Sequence, residues 1–305
     1  MNIERLSYRG LPTCYRLSNG VIDAIITGDL GTRIIRFGFV GERNEFFESD
    51  PLEVPANKSV WQLYGGHRLW HAPEQAGRTD LPDNQPITVE DHGEFVRVIQ
   101  PLEDATGIAK SMDITLGADS ASLRIVHRLR NQGVWDVRLA VWALSVMNSG
   151  GMAIIPLPPR ASHDEVLLPT SSLALWAYTD LSDPRWRFGA KYLYLKQDRN
   201  FAIPQKIGAL VPNGWAAYFN DHHLFVKQFS APPPIPHVDF GSNVEVFTND
   251  FMLEVETLSP LVTLPPGGSA EHVEHWTLAR DIPTISSDED VDQFVLPLTQ
   301  PRSQS

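Results

Sequence analysis

Cysteine is almost absent. Cys14 stands alone in 305 residues, so no internal disulfide can form, and a cysteine-built metal cluster would need other chains. Basic residues are outnumbered: 25 Lys and Arg face 37 Asp and Glu, for a formal net charge of −12. A surface of that sign repels nucleic acid and anionic membranes, and no basic run or zinc-finger spacing offsets it. No stretch approaches the roughly 20 apolar residues of a spanning helix. The opening residues, MNIERLSYRG, carry charges but no apolar signal core. The expectation is a cytoplasmic protein with no nucleic-acid or membrane partner. A G-x-S-x-G elbow, HExxH, a P-loop and a dinucleotide fingerprint are all missing, which argues against an α/β-hydrolase and against the common nucleotide folds. Long helical periodicity is missing too.

What the chain does contain is apolar and aromatic mass. Hydrophobic residues make up 42%, with 8 Trp, 14 Phe and 7 Tyr, enough for a substantial core. Short β-branched and aromatic runs follow one another, separated by Gly, Asp, Asn or Pro. Examples are SLRIVHRLRN at 122–131, DVRLAVWALSVM at 136–147, NVEVFT at 243–248 and FMLEVETL at 251–258. In the first, Leu123, Ile125, His127 and Leu129 fall on one face and the arginines on the other. Regular short strands without intervening helices predict an all-β sandwich. Residues 1–285 read as one domain, and 286–305 as an acidic, then polar, loosely held tail. PPPIP at 232–236 reads as a loop or polyproline segment.

YGGHRLWHAPEQ, residues 64–75, is the densest run of costly residue types. Gly65 and Gly66 permit a tight turn. If the run is extended, His67, Leu69 and His71 share one face, while Arg68 and Trp70 share the other. Arg68 suits hydroxyls or an acidic group, and Trp70 suits stacking. His67 or His71 can exchange protons near neutral pH. A polar turn tied by its own hydrogen bonds explains the same composition. A metal held by His67, His71 and Glu74 would require special loop geometry, and no metal is expected.

In 251–258 the alternation puts Glu254 and Glu256 on one face. Paired carboxylates are expensive to bury without partners and suit a polar pocket in which one acts as general base. A solvated sheet face is the plain alternative. Lys206, between Pro204 and Gly208, reads as a loop cation near a carboxylate. Trp215 and Trp142 either stack on a ligand or fill the core. His127, on an apolar strand face, reads as a satisfied core residue.

TGDLGTRIIRF at 27–37, YGGHRLWHAPE at 64–74 and VWALSVM at 141–147 together resemble an uncharacterised, bacterial family of the galactose mutarotase-like superfamily. PQKIG, GWAAYF and LEVETLSPLVTLPPGGSAEHVEHWTL extend the resemblance over roughly residues 15–280. It implies a β-supersandwich with a sugar-binding site on its concave sheet and no redox cofactor. It also implies aldose 1-epimerase-like chemistry, with Glu254 or Glu256 as base and His67 or His71 as acid. Arg68, Trp70, Glu74, Trp142, Lys206 and Trp215 would hold the sugar or sugar derivative. The sequence departs from the epimerases at VWALSVM, where Trp142 and Ser145 stand near the place of a second pocket histidine. A noncatalytic carbohydrate-binding protein, or a lyase or hydrolase acting on an acidic sugar, is the alternative.

Overall fold

The structure is a computed structural model describing residues 2–50, 52–53, 59–231 and 236–300. Most of the PPPIP segment lies outside these residues. Among the described residues the strands assemble into an eleven-stranded and a ten-stranded sheet, and every named strand pair is antiparallel. Alternation explains why the sheets meet. Leu69, Val141, Val246, Leu253 and Val255 of the first sheet join Ile114, Ile125, Phe225 and Leu278 of the second in one buried apolar cluster. Trp276 packs its ring edge-on against Phe37, Phe46 and Phe225 at centroid distances of 5.2–5.5 Å, a favourable aromatic geometry. Burial of such side chains, each worth about 1.5–3 kcal/mol, holds the sandwich closed.

The middle of the first sheet matters most for the site. The strands Gly66–Ala72, Val137–Met147, Leu253–Leu258, Val244–Thr248 and Gln205–Ala209 lie side by side in that order. Gly66–Ala72 is entered through Gly65 and Gly66, at φ of 91° and 70°. A Cβ on Gly65 would sit 2.0 Å from the Phe47 carbonyl oxygen, and one on Gly66 would sit 2.4 Å from that of Ile34. Only glycine fits there. The strand ends at Ala72, just before Pro73.

The segment beyond Ser286 is not loosely held over its described part. Asp288–Phe294 is an α-helix, capped by Ser287 and Asp290 through reciprocal side-chain–backbone hydrogen bonds. Leu296–Thr299 continues as a 3-10 turn. Val291 and Val295 pack on Ile154, Tyr192, Trp215, Leu224 and Val226, on the outer face of the ten-stranded sheet. The acidic composition that suggested looseness instead supplies the helix start, where carboxylates are favoured, and anchors. Tyr192 and Tyr194 hydroxyls donate to Asp292 and Asp288, each at 2.7 Å.

Candidate functional site

Cross-strand register brings distant residues onto one patch. Arg68 lies opposite Leu144, Leu144 opposite Glu256, Glu256 opposite Glu245, and Glu245 opposite Gly208. In the adjoining rows Trp70 lies opposite Trp142, and Glu254 opposite Phe247, which lies opposite Lys206. Apart from Gly208, these residues alternate with the core residues Leu69, Val141, Val246, Val255 and Ile207, so their side chains leave the sheet on the face turned away from the inter-sheet core.

The patch is a buried ion network with aromatic walls. Lys206 Nζ donates to Glu245 Oε2 at 2.8 Å and to Glu256 Oε2 at 3.1 Å. Trp142 Nε1 donates to the same Glu256 oxygen at 2.8 Å. Arg68 Nη2 donates to Glu254 Oε1 at 3.3 Å. The guanidinium of Arg68 stacks 4.2 Å from the Trp70 ring centroid and 5.4 Å from that of Trp61. Lys206 Nζ lies 5.1 Å from the ring of Trp142 and 4.8 Å from that of Trp176, cation–π range in each case. A cleft of about 390 Å³ opens above, lined by Glu74, Ala76, Asp80, Trp142, Trp176, Asp239 and Glu245.

Charges are mismatched to their surroundings. Burial pushes Glu254 up to about 7; Arg68 opposes the shift, while Glu256 and Glu74 add to it. Burial also holds Glu245 well above the usual carboxylate range, with Lys206 opposing. Burial works against the Lys206 ammonium, but Glu256 and Glu245 more than offset it and raise its value. Arg68 is lowered by burial, with Glu254 opposing. Several polar atoms lack a hydrogen-bond partner among the described residues: Nε and Nη1 of Arg68, Oε1 of Glu245, Oε1 of Glu256 and Nε1 of Trp61. A network of this cost is poor evidence for stability. Perturbed groups with spare donors and acceptors beside a cleft are the mark of a ligand site.

His67 and His71 do not belong to this patch. They leave the Gly66–Ala72 strand on the opposite face, the one shared with core residue Leu69. His67 Nδ1 lies 2.9 Å from Ser145 Oγ, and its Nε2 lies 2.7 Å from His127 Nε2. His127 Nδ1 donates to the His272 carbonyl at 2.9 Å. With neutral rings only one pattern is consistent: Ser145 donates to His67, His67 to His127, and His127 to the backbone. His71 Nε2 lies 3.8 Å from Glu103, which is bound by Lys110. The histidine–glutamate acid–base pair expected from the resemblance is therefore split across the sheet. Trp215 also lies elsewhere, beneath the C-terminal helix. Lys206 sits in a strand rather than a loop. Glu74 is an exposed residue lining the cleft.

Glu245, Trp61 and Trp176 were missed as site residues. NVEVFT held a signal for the first: Glu245 breaks an apolar strand at the same parity as Phe247. Trp61 and Trp176 lie outside named strands, so no parity argument reaches them. For metal binding, donor atoms of His67, His127 and Glu274 lie within 4.8 Å of one another. Those donors are spent in hydrogen bonds, and Glu274 is bound by Lys227 at 2.8 Å, an ammonium that a second cation would have to displace.

No protein-family model matches the chain, and no curated protein matches it. Solved structures do. A TPR-domain containing protein from Parabacteroides distasonis superposes with a TM-score of 0.61 at 14% identity, over 96% of this chain; the chain spans 50% of that protein's length. A candidate mutarotase from Salmonella typhimurium gives a TM-score of 0.61 at 12% identity, over 91% of this chain and 94% of that one. A candidate aldose 1-epimerase from Klebsiella pneumoniae gives 0.61 at 12%, over 99% and 88%. The fold is the galactose mutarotase-like β-sandwich. No described helix is long and apolar enough to cross a membrane.

Proposed function

We propose that the outer patch of the eleven-stranded sheet binds a sugar or sugar derivative and exchanges its anomers by acid–base chemistry. The observation that carries this reading is the Glu254–Glu256 pair. The two carboxylates share one strand face in different environments, one against Arg68 and raised to about 7, the other held by Lys206 and Trp142. Carboxyl groups set apart in this way can divide donor and acceptor roles. Tryptophan faces and unpartnered Arg68 donors are the chemistry that holds pyranose rings and hydroxyls. Likeness to a candidate mutarotase and a candidate aldose 1-epimerase supports the same substrate class.

In this scheme one glutamate takes the proton of the anomeric hydroxyl. A proton goes to the ring oxygen as the C1–O5 bond breaks. The open aldehyde rotates and closes on its other face. Glu254, near neutrality in both protonation states, serves as donor, and Glu256 Oε1 as acceptor. No redox cofactor enters. A second reading, binding without turnover, is favoured by one observation: His67 and His71 face the core, and no other histidine lines the cleft among the described residues.

Saturation-transfer NMR on freshly dissolved aldoses decides between them. Accelerated anomeric exchange, reduced about 10²- to 10⁴-fold in Glu254→Gln or Glu256→Gln, is the expected outcome. Exchange untouched by both changes overturns the catalytic roles. Line broadening without exchange establishes the binding reading.

A further inference from the structure

The patch described above leaves a charge problem that a neutral sugar does not solve. Lys206 lies between Glu245 and Glu256 but reaches only one oxygen of each. The other oxygen of each, Oε1, has no partner among the described residues, although Glu245 is 1% exposed and Glu256 0%. The cleft above adds Glu74, Asp80 and Asp239, and Asp239 is close enough to raise Glu245 further. Among the described residues, Lys206 and Arg68 are the cations in contact with this network. Carboxylates therefore outnumber cations around the cleft among the described residues. Its aromatic walls, Trp142 and Trp176, already hold the Lys206 ammonium against their rings. Acidic oxygens plus aromatic faces are the chemistry that recognises an ammonium group.

Resting on the sugar-binding reading, we infer that the cleft between Trp142 and Trp176 selects an amino sugar, whose ammonium is received by Glu245 Oε1 under the field of Asp239, Glu74 and Asp80. A carboxylate-bearing sugar would meet like charge at the same place, so the site disfavours uronic acids and sugar phosphates. Burial holds the Glu245 carboxyl high in the free protein.

The test compares matched ligands by calorimetry and ligand-observed NMR: glucosamine, galactosamine and mannosamine, each against its parent aldose, its N-acetyl form and the corresponding uronic acid. The expected result is tighter binding of one amine by about tenfold or more over its parent aldose. The N-acetyl form should fall to the parent's level and the uronic acid below it. Glu245→Gln should reduce the amine's advantage. The rim substitution Asp239→Asn, at a half-buried position that does not threaten folding, should reduce it in part. Equal or weaker binding of every amine overturns the inference and leaves the sugar site standing. If no sugar binds, the sugar-site reading fails, and ethanolammonium against ethylene glycol decides the rest. Selective shifts of the Trp142 and Trp176 indole signals by ethanolammonium would support a cation cleft; identical or absent shifts would overturn it.

Discussion

Single residues in the core show how much polar chemistry the sandwich tolerates when every group is answered. Lys227 is fully buried, yet its ammonium contacts Glu274 at 2.8 Å and the carbonyls of Val255 and Ala143 at 3.2 and 3.4 Å. Glu274 also accepts from Trp276 Nε1 at 2.8 Å and from Thr257. His272 Nε2 lies 2.7 Å from Thr257 Oγ1. Burial pulls His272 down to about 3, with Glu274 opposing. Its folded value thus lies below the unfolded value of about 6.5. As pH falls the unfolded chain takes the proton first, so stability declines from about pH 6.5 towards about 3. Glu254 has the opposite sign: raised to about 7, its contribution is complete below 4.5 and lost as pH rises to about 7. Comparing His272→Gln with wild type cancels the Glu254 effect. Urea unfolding at about pH 7.5 and about pH 5 should show the wild type losing about 2 kcal/mol more than the variant between the two. Equal losses would mean that His272 is not held neutral. His127 was legible as a core residue because one face of its strand is otherwise apolar. The partners that satisfy it were not, because they come from strands up to 145 positions away.

At the scale of elements, the Gly66–Ala72 strand teaches the most. Its alternation was readable: Arg68 and Trp70 on one side, His67 and His71 on the other. Which side met the glutamates was not. That depends on Val137–Met147 lying between this strand and Leu253–Leu258 with Leu144 in line with both Arg68 and Glu256, and long-range register leaves no trace in a single sequence. Pairing histidine with glutamate was chemically natural but required opposite faces to meet. The strand's entry is a sharper constraint. Gly66→Ala would combine a left-handed backbone with a Cβ 2.4 Å from a carbonyl oxygen. It should cost about 2 kcal/mol or more in urea unfolding. It should also weaken ligand binding, since Arg68 follows two residues later. Wild-type stability in the Gly66→Ala variant would show that the turn relaxes freely. Lys206 was misplaced for a related reason: Gly208 suggested a loop, whereas it lies in a strand where a Cβ would come within 2.3 Å of Ser242 Oγ.

On the scale of the whole molecule, the two sheets have different outer faces. The eleven-stranded sheet carries the charged cleft, while part of the ten-stranded sheet is covered by the C-terminal helix. Trp215, Tyr192 and Ile154 lie beneath that helix, which is why an aromatic read as a sugar platform is a packing residue instead. Short strands at regular spacing made the sandwich legible. The cover was hidden because its apolar residues, among them Val291, Val295 and Leu298, directly follow an acidic stretch with no strand pattern of their own. Ending the chain at residue 285 should expose this apolar face, lower Tm by several degrees and promote self-association at high concentration, as followed by calorimetry and light scattering. An unchanged Tm would mean that the helix adds nothing to the fold.

The Gly66–Ala72 strand faces two ways from one stretch of backbone, towards the proposed ligand with its even residues and towards the interior with its odd ones. Tolerance to mutation along it should therefore be tooth-like. In a saturation scan scored separately for abundance and for sugar binding, substitutions at His67, Leu69 and His71 should deplete the protein itself. Those at Arg68 and Trp70 should leave more protein standing but silence it. The two scores, plotted by position, would interleave with a period of about two.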